Sequence, residues 1–368
     1  MKMRKRSFFP VPAFFVLLSS LSAQTTARVC PDYVEHFEGR GGDRYLAGWE
    51  DMHEQVLYDG ARIARTRAVI TAVAFRRDCD RNKPFQARKV HRRILADHCA
   101  GTPDAISGTF ARNLGPGAVK VFESSRVVFP PQPACAAGPA PFAAVFPFSK
   151  PFLYERKKGN LLLDILGKGT PSAWREWIAD AHAQSYGTSG MTAPLGPGCK
   201  GKAGEYVHLS VSPYPLKLGG SLSLSFTTNL AKPGTLLAWV GARCNRLGNT
   251  PLPLDLTFLG ATGCKLYTSL EVLFVLQGSG SGYPGLSLPI PGNPALAMAQ
   301  VFTQAAAYAP GANPAGLLFT GGVRCLVWPG RRPPTVLNSV FTNSSAASRG
   351  SIMRTPVGPV TQFRGTFQ

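Results

Sequence analysis

The residues that could carry chemistry are scattered along this sequence of 368 residues. Its six histidines do not show the close spacing of metal ligands. The tightest ionisable group is Asp-Met-His-Glu, in which Asp51, His53 and Glu54 lie within four positions. An acid/base or metal-binding role for this group needs further ligands brought in by folding. The sequence therefore predicts no metal site and no cofactor.

Carboxylates suggest one enzymatic alternative. A glycosidase needs two carboxyl groups that face each other across a cleft. The candidates in the N-terminal half include Glu50, Asp51, Glu54, Asp78, Asp80 and Asp164. No nucleophile elbow, phosphate-binding loop, zinc-protease motif or dinucleotide fingerprint occurs in the sequence. We therefore predict no catalytic residue, and a secreted carboxylate-dependent hydrolase stays as the alternative.

Tryptophans suggest ligand binding instead, because their rings stack on flat apolar faces such as those of sugars. Trp49, Trp174 and Trp177 are the candidate ligand-binding residues. The last two also belong to an apolar stripe with the i, i+3, i+4, i+7 spacing of a helix, so residues 172–185 are predicted to be helical. That stripe favours core packing over a stacking platform.

Cysteines occur in an even number, which in an oxidising compartment indicates disulfides. The disulfide candidates are Cys30, Cys79, Cys99, Cys135, Cys199, Cys244, Cys264 and Cys325. The runs 69–75 and 85–95 are predicted to pair as a hairpin, which places Cys79 at the turn and Cys99 past the far end. Bridged Cα atoms lie within about 7 Å, so Cys79 should not pair with Cys99. A bridge at Cys135 would restrain a connector rich in proline and alanine.

The N-terminus has the layout of a secretory signal peptide. Four basic residues precede an apolar run over 8–21, which is followed by small residues and by cleavage after Ala23 or Ala27. The alternative is a retained anchor. The predicted location is secreted, periplasmic or at the cell surface, and no later segment is apolar over the ~20 residues of a transmembrane helix.

The remaining chain is typical of an all-β protein, because it is rich in glycine (39) and proline (32) and only 16% of it is charged. We predict a signal peptide over 1–27, two jelly-roll-like β-sandwich domains in tandem over 28–188 and 189–330, and a loose basic tail over 331–368. Strands are predicted over 107–113, 118–124 and 126–129, among others. The stretch YERKKGNLLLDILGKG is predicted to be a hairpin with Arg-Lys-Lys at its solvated tip and LLLDIL as an interior strand.

The formal charge of +20 does not by itself indicate nucleic acid. The basic residues are spread thinly rather than gathered in one stripe with interleaved aromatics. Such diffuse charge favours solubility and weak adhesion to anionic surfaces. We therefore predict no specific nucleic-acid partner.

Several sequence pieces carry a resemblance. The segments VLYDGARIARTRAVITAVAFRRD, SGTFARNLGPGAVKVFE and PFLYERKKGNLLLDI resemble, in that order, a β-sandwich domain of uncharacterised exported bacterial proteins. From GPGC through LPLDLTFLGATGCKLYTSLEVLF, LPIPGNPAL and GGVRCL, the chain looks like a second small β module of such proteins. These motifs are strand edges, turns and cysteines, so the resemblance implies a fold and brings no catalytic residues.

Together, these features predict an exported, non-catalytic binding or cell-surface module. Its preferred ligand class and partner is a polysaccharide or another cell-envelope component. The alternatives are the hydrolase described above and a purely structural envelope component. The sequence does not specify the oligomeric state.

Overall fold

The computed structural model describes residues 26–80, 83–135, 138–169, 177–183, 189–280, 282–330, 335–353 and 355–368. Two four-residue α-helices occur in these ranges, α1 Tyr45–Gly48 and α2 Gly60–Ile63. Short 3₁₀ helices span Asp32–Val34, Pro103–Ala105, Phe110–Arg112, Arg156–Lys158, Thr257–Leu259 and Pro294–Leu296. The rest of the regular structure is strand, so the all-β prediction is confirmed.

The strands fall into three consecutive groups along the chain. The first group is β1 Thr26–Cys30, β2 Gly41–Asp43, β3 Met52–Tyr58, β4 Arg67–Phe75, β5 Arg88–Cys99, β6 Val119–Phe129, β7 Ala144–Glu155, β8 Asn160–Gly167 and β9 Ala179–Ala183. The second is β10 Met191–Gly196, β11 Val207–Ser212, β12 Ser221–Thr228, β13 Thr235–Gly241, β14 Arg246–Leu247, β15 Thr250–Pro251, β16 Leu254–Asp255, β17 Lys265–Leu266, β18 Val272–Gln277, β19 Leu286–Pro289, β20 Gln300–Tyr308, β21 Leu317–Phe319 and β22 Gly322–Leu326. The third is β23 Leu337–Thr342, β24 Ser351–Ile352, β25 Val357–Pro359 and β26 Thr361–Phe367.

Strands of the first and third groups build two antiparallel sheets that pack face to face. One has the order β1-β26-β4-β7 and the other β24-β23-β3-β8-β5-β6, while β2, β9 and β25 form a small third sheet. Aromatic pairs join the large sheets: the ring centroids of Tyr58 and Phe363 lie 5.1 Å apart, and those of Phe129 and Phe146 lie 5.8 Å apart. All four side chains are buried, so the core lies between these two sheets.

Strand β8 is the interior strand that LLLDIL predicts. It lies between β3 and β5, and its residues from Leu161 to Gly167 are all buried. Leu161 and Leu163 belong to the core between the sheets, whereas Leu162 packs on the opposite face against Ile106 and Phe110. Burial on both faces explains why this strand reads as an apolar run and not as an alternating pattern.

The second group of strands forms sheets of its own. One has the order β10-β22-β20-β13-β18, with β21 beside β20, and the other has the order β11-β12-β19. A single hydrophobic cluster takes residues from both sheets, for example Leu209 and Leu224 from the smaller one and Ala238 and Ala305 from the larger one.

The prediction of a loose tail over 331–368 is wrong for the described residues. Strand β26 lies between β1 and β4, and β23 pairs with β3, so both complete sheets that begin near the N-terminus. The tail is polar and basic in part, but Val340, Val360 and Phe363 are fully buried. A few buried apolar residues are enough to order this segment. The average composition of the tail hides them, because most of its residues are polar.

The two predicted hairpins are also wrong. Strand β4 pairs with β26 and β7, whereas β5 pairs with β6 and β8 in the other sheet. Likewise β7 and β8 belong to different sheets, and the 3₁₀ turn Arg156–Lys158 carries the chain from one to the other. Turn residues mark where a strand ends, but they do not choose its partner. The Arg-Lys-Lys turn is nevertheless exposed, as the sequence predicts.

Local pattern fails at two further places. The predicted strand over 107–113 contains the 3₁₀ helix Phe110–Arg112, and 118–124 and 126–129 form one continuous strand, β6. The helix predicted over 172–185 is replaced by β9 at Ala179–Ala183, while 171–176 and 184–188 lie outside the described residues. Residues 179–182 are all buried, so the apolar spacing reflects two covered faces rather than a helical stripe.

Two disulfides are present, and they join Cys79 to Cys135 and Cys199 to Cys264. Cys79 therefore does not pair with Cys99, as predicted, although the hairpin behind that prediction is wrong. The other four candidates are unpaired thiols: Cys30, Cys99, Cys244 and Cys325. Three of them are buried in three separate hydrophobic clusters, so folding does not bring them together.

Candidate binding pocket beside two buried carboxyl groups

A pocket of about 530 Å³ opens where β2, α1, β3, β23 and β25 meet. The residues that give it chemical character are Asp43, Tyr45, Trp49, Glu54, Phe341 and Met353. Pairing of β23 with β3 sets Phe341 directly beside Glu54 in the sheet. The third group of strands therefore supplies one wall of a pocket whose floor comes from the first.

Aromatic side chains form the wall. The rings of Tyr45 and Phe341 stack with centroids 4.1 Å apart and planes 29° from parallel. Trp49 is partly buried beside them, and Met353 is 52% exposed at the mouth. Partly exposed rings next to a flexible thioether present an apolar surface to whatever enters the pocket.

Two arginines of β5 position the segment that carries this wall. Arg92 is fully buried, and its Nε donates to the carbonyl oxygen of Leu46 at 2.8 Å. Arg88 Nη1 donates to the carbonyl oxygen of Ala47 at 2.7 Å. These bonds satisfy carbonyl groups at the end of a helix of only one turn, so they hold α1 and Trp49 in place.

Asp43 and Glu54 form a carboxyl pair on the floor of the pocket. Their exposed fractions are 7% and 1%. Burial raises the pKa of Asp43, although hydrogen bonds to its carboxylate act in the opposite direction. Burial raises the pKa of Glu54 well above its ordinary value, and the negative charge of Asp43 raises it further.

Burial favours the protonated forms of this pair, and the two carboxyl groups lie close enough to affect each other's pKa. Asp43 Oδ1 accepts hydrogen bonds from the backbone N–H groups of Tyr45, at 2.7 Å, and Leu46, at 3.3 Å. Asp43 Oδ2 and Glu54 Oε2 are buried and have no donor within the described residues. The two side chains can hydrogen-bond to each other only when one of them carries a proton. A carboxyl group donates a hydrogen bond when it is protonated and accepts hydrogen bonds when it is ionised.

We expect the pair to make folding stability fall as the pH rises. Both pKa values are raised in the folded protein, so the stabilisation is complete below the unfolded pKa of about 4 and is lost as the pH rises through the folded values. Glu54→Gln removes one titrating group and keeps the side-chain shape. Thermal unfolding followed by circular dichroism should show a smaller fall in Tm between about pH 4 and pH 8 for this variant.

Glu123→Gln is the matched control, because Glu123 is an exposed carboxylate on β6 whose pKa is lowered rather than raised. It should keep the wild-type fall over the same interval. If Tm falls equally with pH in wild type and in Glu54→Gln, the raised pKa of Glu54 is contradicted.

The structure separates the three candidate tryptophans. Trp49 lines the pocket. Trp177 is 2% exposed and packs against Phe129 in the core, and its Nε1 donates to the carbonyl oxygen of Pro130 at 3.1 Å. Its ring faces are therefore not available to a ligand, which corrects its assignment as a binding residue. Trp174 lies outside the described residues.

The candidate carboxylates contact different parts of the fold. Glu54 lies beside Asp43, a residue that the sequence analysis did not identify as a candidate. Glu50 lies 3.7 Å from Arg88, and Asp51 accepts from the backbone N–H of Ser345 at 3.2 Å. Asp78 accepts from the backbone N–H of Asp80 at 2.9 Å. Asp43 follows two glycines and binds the first N–H groups of α1, a pattern that indicates a helix start but not a partner carboxylate.

His53 of the Asp-Met-His-Glu group pairs with Asp164. His53 Nε2 lies 2.6 Å from Asp164 Oδ1, and the ring of Phe110 stacks on the imidazole at 3.7 Å. His53 and Asp164 are 8% and 3% exposed, so the pair is covered and lies outside the pocket. Within the described ranges, no group of three or more His, Cys, Asp or Glu residues is placed to hold a metal ion.

Comparison of the chain with protein-family models, with curated protein sequences and with solved structures finds no match. The resemblance to exported bacterial β-sandwich proteins therefore stays a prediction. In the part of the chain that the structure describes, no helix is long and apolar enough to cross a bilayer.

Proposed function

We propose that this protein is an exported, non-catalytic binding module whose pocket takes a carbohydrate, either free or as part of a cell-envelope polymer. The observation that carries the proposal is the combination, in one pocket, of an aromatic wall with two buried carboxyl groups whose pKa values are raised. Pockets that bind small ligands typically pair an apolar lining with a few convergent polar groups.

The chemistry of a sugar ring matches both surfaces. Its C–H face is apolar and stacks on an aromatic ring such as that of Trp49, whereas its hydroxyl groups both donate and accept hydrogen bonds. The floor carries Asp43 and Glu54, and a carboxyl group accepts hydrogen bonds when ionised and donates one when protonated.

Export is supported by two independent features. The N-terminal residues have the cationic start, apolar core and small-residue region of a signal peptide. The two disulfides are typical of proteins that fold in an oxidising compartment.

Binding is favoured over glycoside hydrolysis by the placement of the carboxyl groups. Retaining enzymes hold their two carboxyl groups about 5 Å apart and inverting enzymes hold them farther apart, with the sugar between them. Asp43 and Glu54 instead lie side by side on the floor, close enough for each to shift the pKa of the other. Such a pair acts on one side of a ligand and does not flank a glycosidic bond.

We expect Trp49→Ala to weaken glycan binding about tenfold or more, because stacking on an aromatic ring contributes about 1 kcal/mol beyond the area that it buries. A glycan array and polysaccharide pull-down with the folded protein would find the ligand, and isothermal titration calorimetry would measure the affinity. Phe258→Ala is the matched control, since Phe258 is 70% exposed and does not line the pocket.

A blank array, or equal affinities for Trp49→Ala and wild type, would contradict the carbohydrate proposal. Release of reducing sugar from the bound glycan would select the hydrolase. Co-purification with the envelope fraction, with no ligand in solution, would select a structural component.

A further inference from the structure

The edge strand β18 is an unprotected sheet edge. It is the last strand in the order β10-β22-β20-β13-β18, and among the described residues its ladder partner is β13. Its sequence VLFVLQ contains no charge and no proline, and its register with β13 is unbroken. Val272, Leu273 and Val275 are 49%, 55% and 60% exposed. Backbone donors and acceptors on the outer side of such a strand form a ready template for another strand.

The outer strands of the other large sheets carry the features that discourage such pairing. Strand β6 contains Lys120, Glu123 and Arg126, and β7 contains Pro147, Lys150 and Pro151. At the opposite edge of the sheet that contains β18, β10 carries Pro194 and a break in register beside it. Strand β1 carries Arg28, and β24 is only two residues long. Charges, prolines, bulges and shortness are the usual protections, and β18 has none of them.

We propose that β18 is the interface through which two copies of this chain pair antiparallel, about a two-fold axis at Val275. A two-fold interface uses the same surface patch on both subunits, so it must be self-complementary. The antiparallel register places Val275 opposite Val275 of the second copy, Phe274 opposite Leu276, and Leu273 opposite Gln277. Every cross-strand pair is thus apolar or uncharged.

Charge favours this face for self-association. The chain carries a formal charge of +20, so most surfaces of two copies repel each other. Strand β18 carries no charge, and Glu271, which precedes it, falls opposite the uncharged Ser279 in the proposed register. The sheet that ends at β18 in one copy would continue into the same sheet of the second copy. This pairing would bury the exposed valines and leucines of β18 in both copies.

The test is the mass of the processed chain in solution, measured by sedimentation velocity over a wide dilution series. We expect wild type to have twice the mass of one chain at high concentration, and Val275→Lys to have half that mass. Val128→Lys on β6 is the matched control, because Val128 is 50% exposed on a strand that already carries charges. It should stay dimeric. Circular dichroism would check that both variants are folded.

Hydrogen exchange on the unmodified chain is the second readout and needs no folded variant. Backbone amides of β18 should exchange more slowly as the protein concentration rises, while those of β6 should not change. A monomer at every concentration, a dimer that persists in folded Val275→Lys, or concentration-dependent protection outside β18 would each overturn the proposal.

Discussion

Phe363→Ala is expected to destabilise the folded protein by about 3–5 kcal/mol, the usual loss for truncating a fully buried phenylalanine. Phe363 is fully buried in β26, where its ring lies edge-on against Tyr58 of the facing sheet. Strand β26 is bonded on both sides, to β1 and to β4. The cavity would therefore open in the middle of the core and not at its rim. Urea unfolding followed by tryptophan fluorescence would measure the change.

Phe258→Ala provides the comparison, because this phenylalanine is 70% exposed and its truncation should change stability by less than about 0.5 kcal/mol. A chain that ends before Thr361 should lose cooperative unfolding of the two facing sheets. Similar losses for the two phenylalanine variants, or cooperative unfolding of the shortened chain, would show that β26 is not a structural strand of the core.

The second large effect is expected at the buried pair of Arg76 and Asp180. Arg76 Nε donates to Asp180 Oδ2 at 2.7 Å, and both side chains are almost completely buried. Asp180 also accepts from the backbone N–H of Gly39 at 2.9 Å. Asp180→Ala leaves the guanidinium charge buried without its partner, which typically costs about 3–5 kcal/mol.

A double-mutant cycle tests whether that cost comes from the pair. In an Arg76→Met background, Asp180→Ala should cost much less than in wild type, because no unpaired charge remains. The exposed pair of Arg62 and Asp32, 3.4 Å apart, gives the control, and Asp32→Ala should cost less than about 1 kcal/mol. Additive losses at Arg76 and Asp180 would exclude coupling between them.

Sequence pattern identified strands better than it identified their partners. Alternation and turn residues are local, so they predicted the all-β class and the interior position of LLLDIL. Which sheet a strand joins depends on contacts between residues far apart in sequence, and both predicted hairpins failed for this reason. The tail failed in the same way, because its apolar residues are few and are buried only through distant strands.

The residues of the candidate pocket also differ in whether the sequence could predict them. Trp49 and Glu54 were singled out by residue type, since aromatic rings and carboxylates are common in binding and catalytic sites. Asp43 and Phe341 were not, because only folding gives them their neighbours. Phe341 follows Glu54 by almost 300 positions, and the ladder between β23 and β3 brings them together. No local pattern in the sequence encodes that pairing.

The place of β26 between β1 and β4 imposes an order of events on biosynthesis. Strand β1 acquires its hydrogen-bonded neighbour in the sheet only after the ribosome has passed residue 361. The strands from β10 to β22 pair with one another, so this segment can fold before β23 and β26 are available to the earlier strands. Until β26 is available, the facing edges of β1 and β4 stay unpaired, and a chaperone that shields such edges would protect the chain from aggregation in that interval.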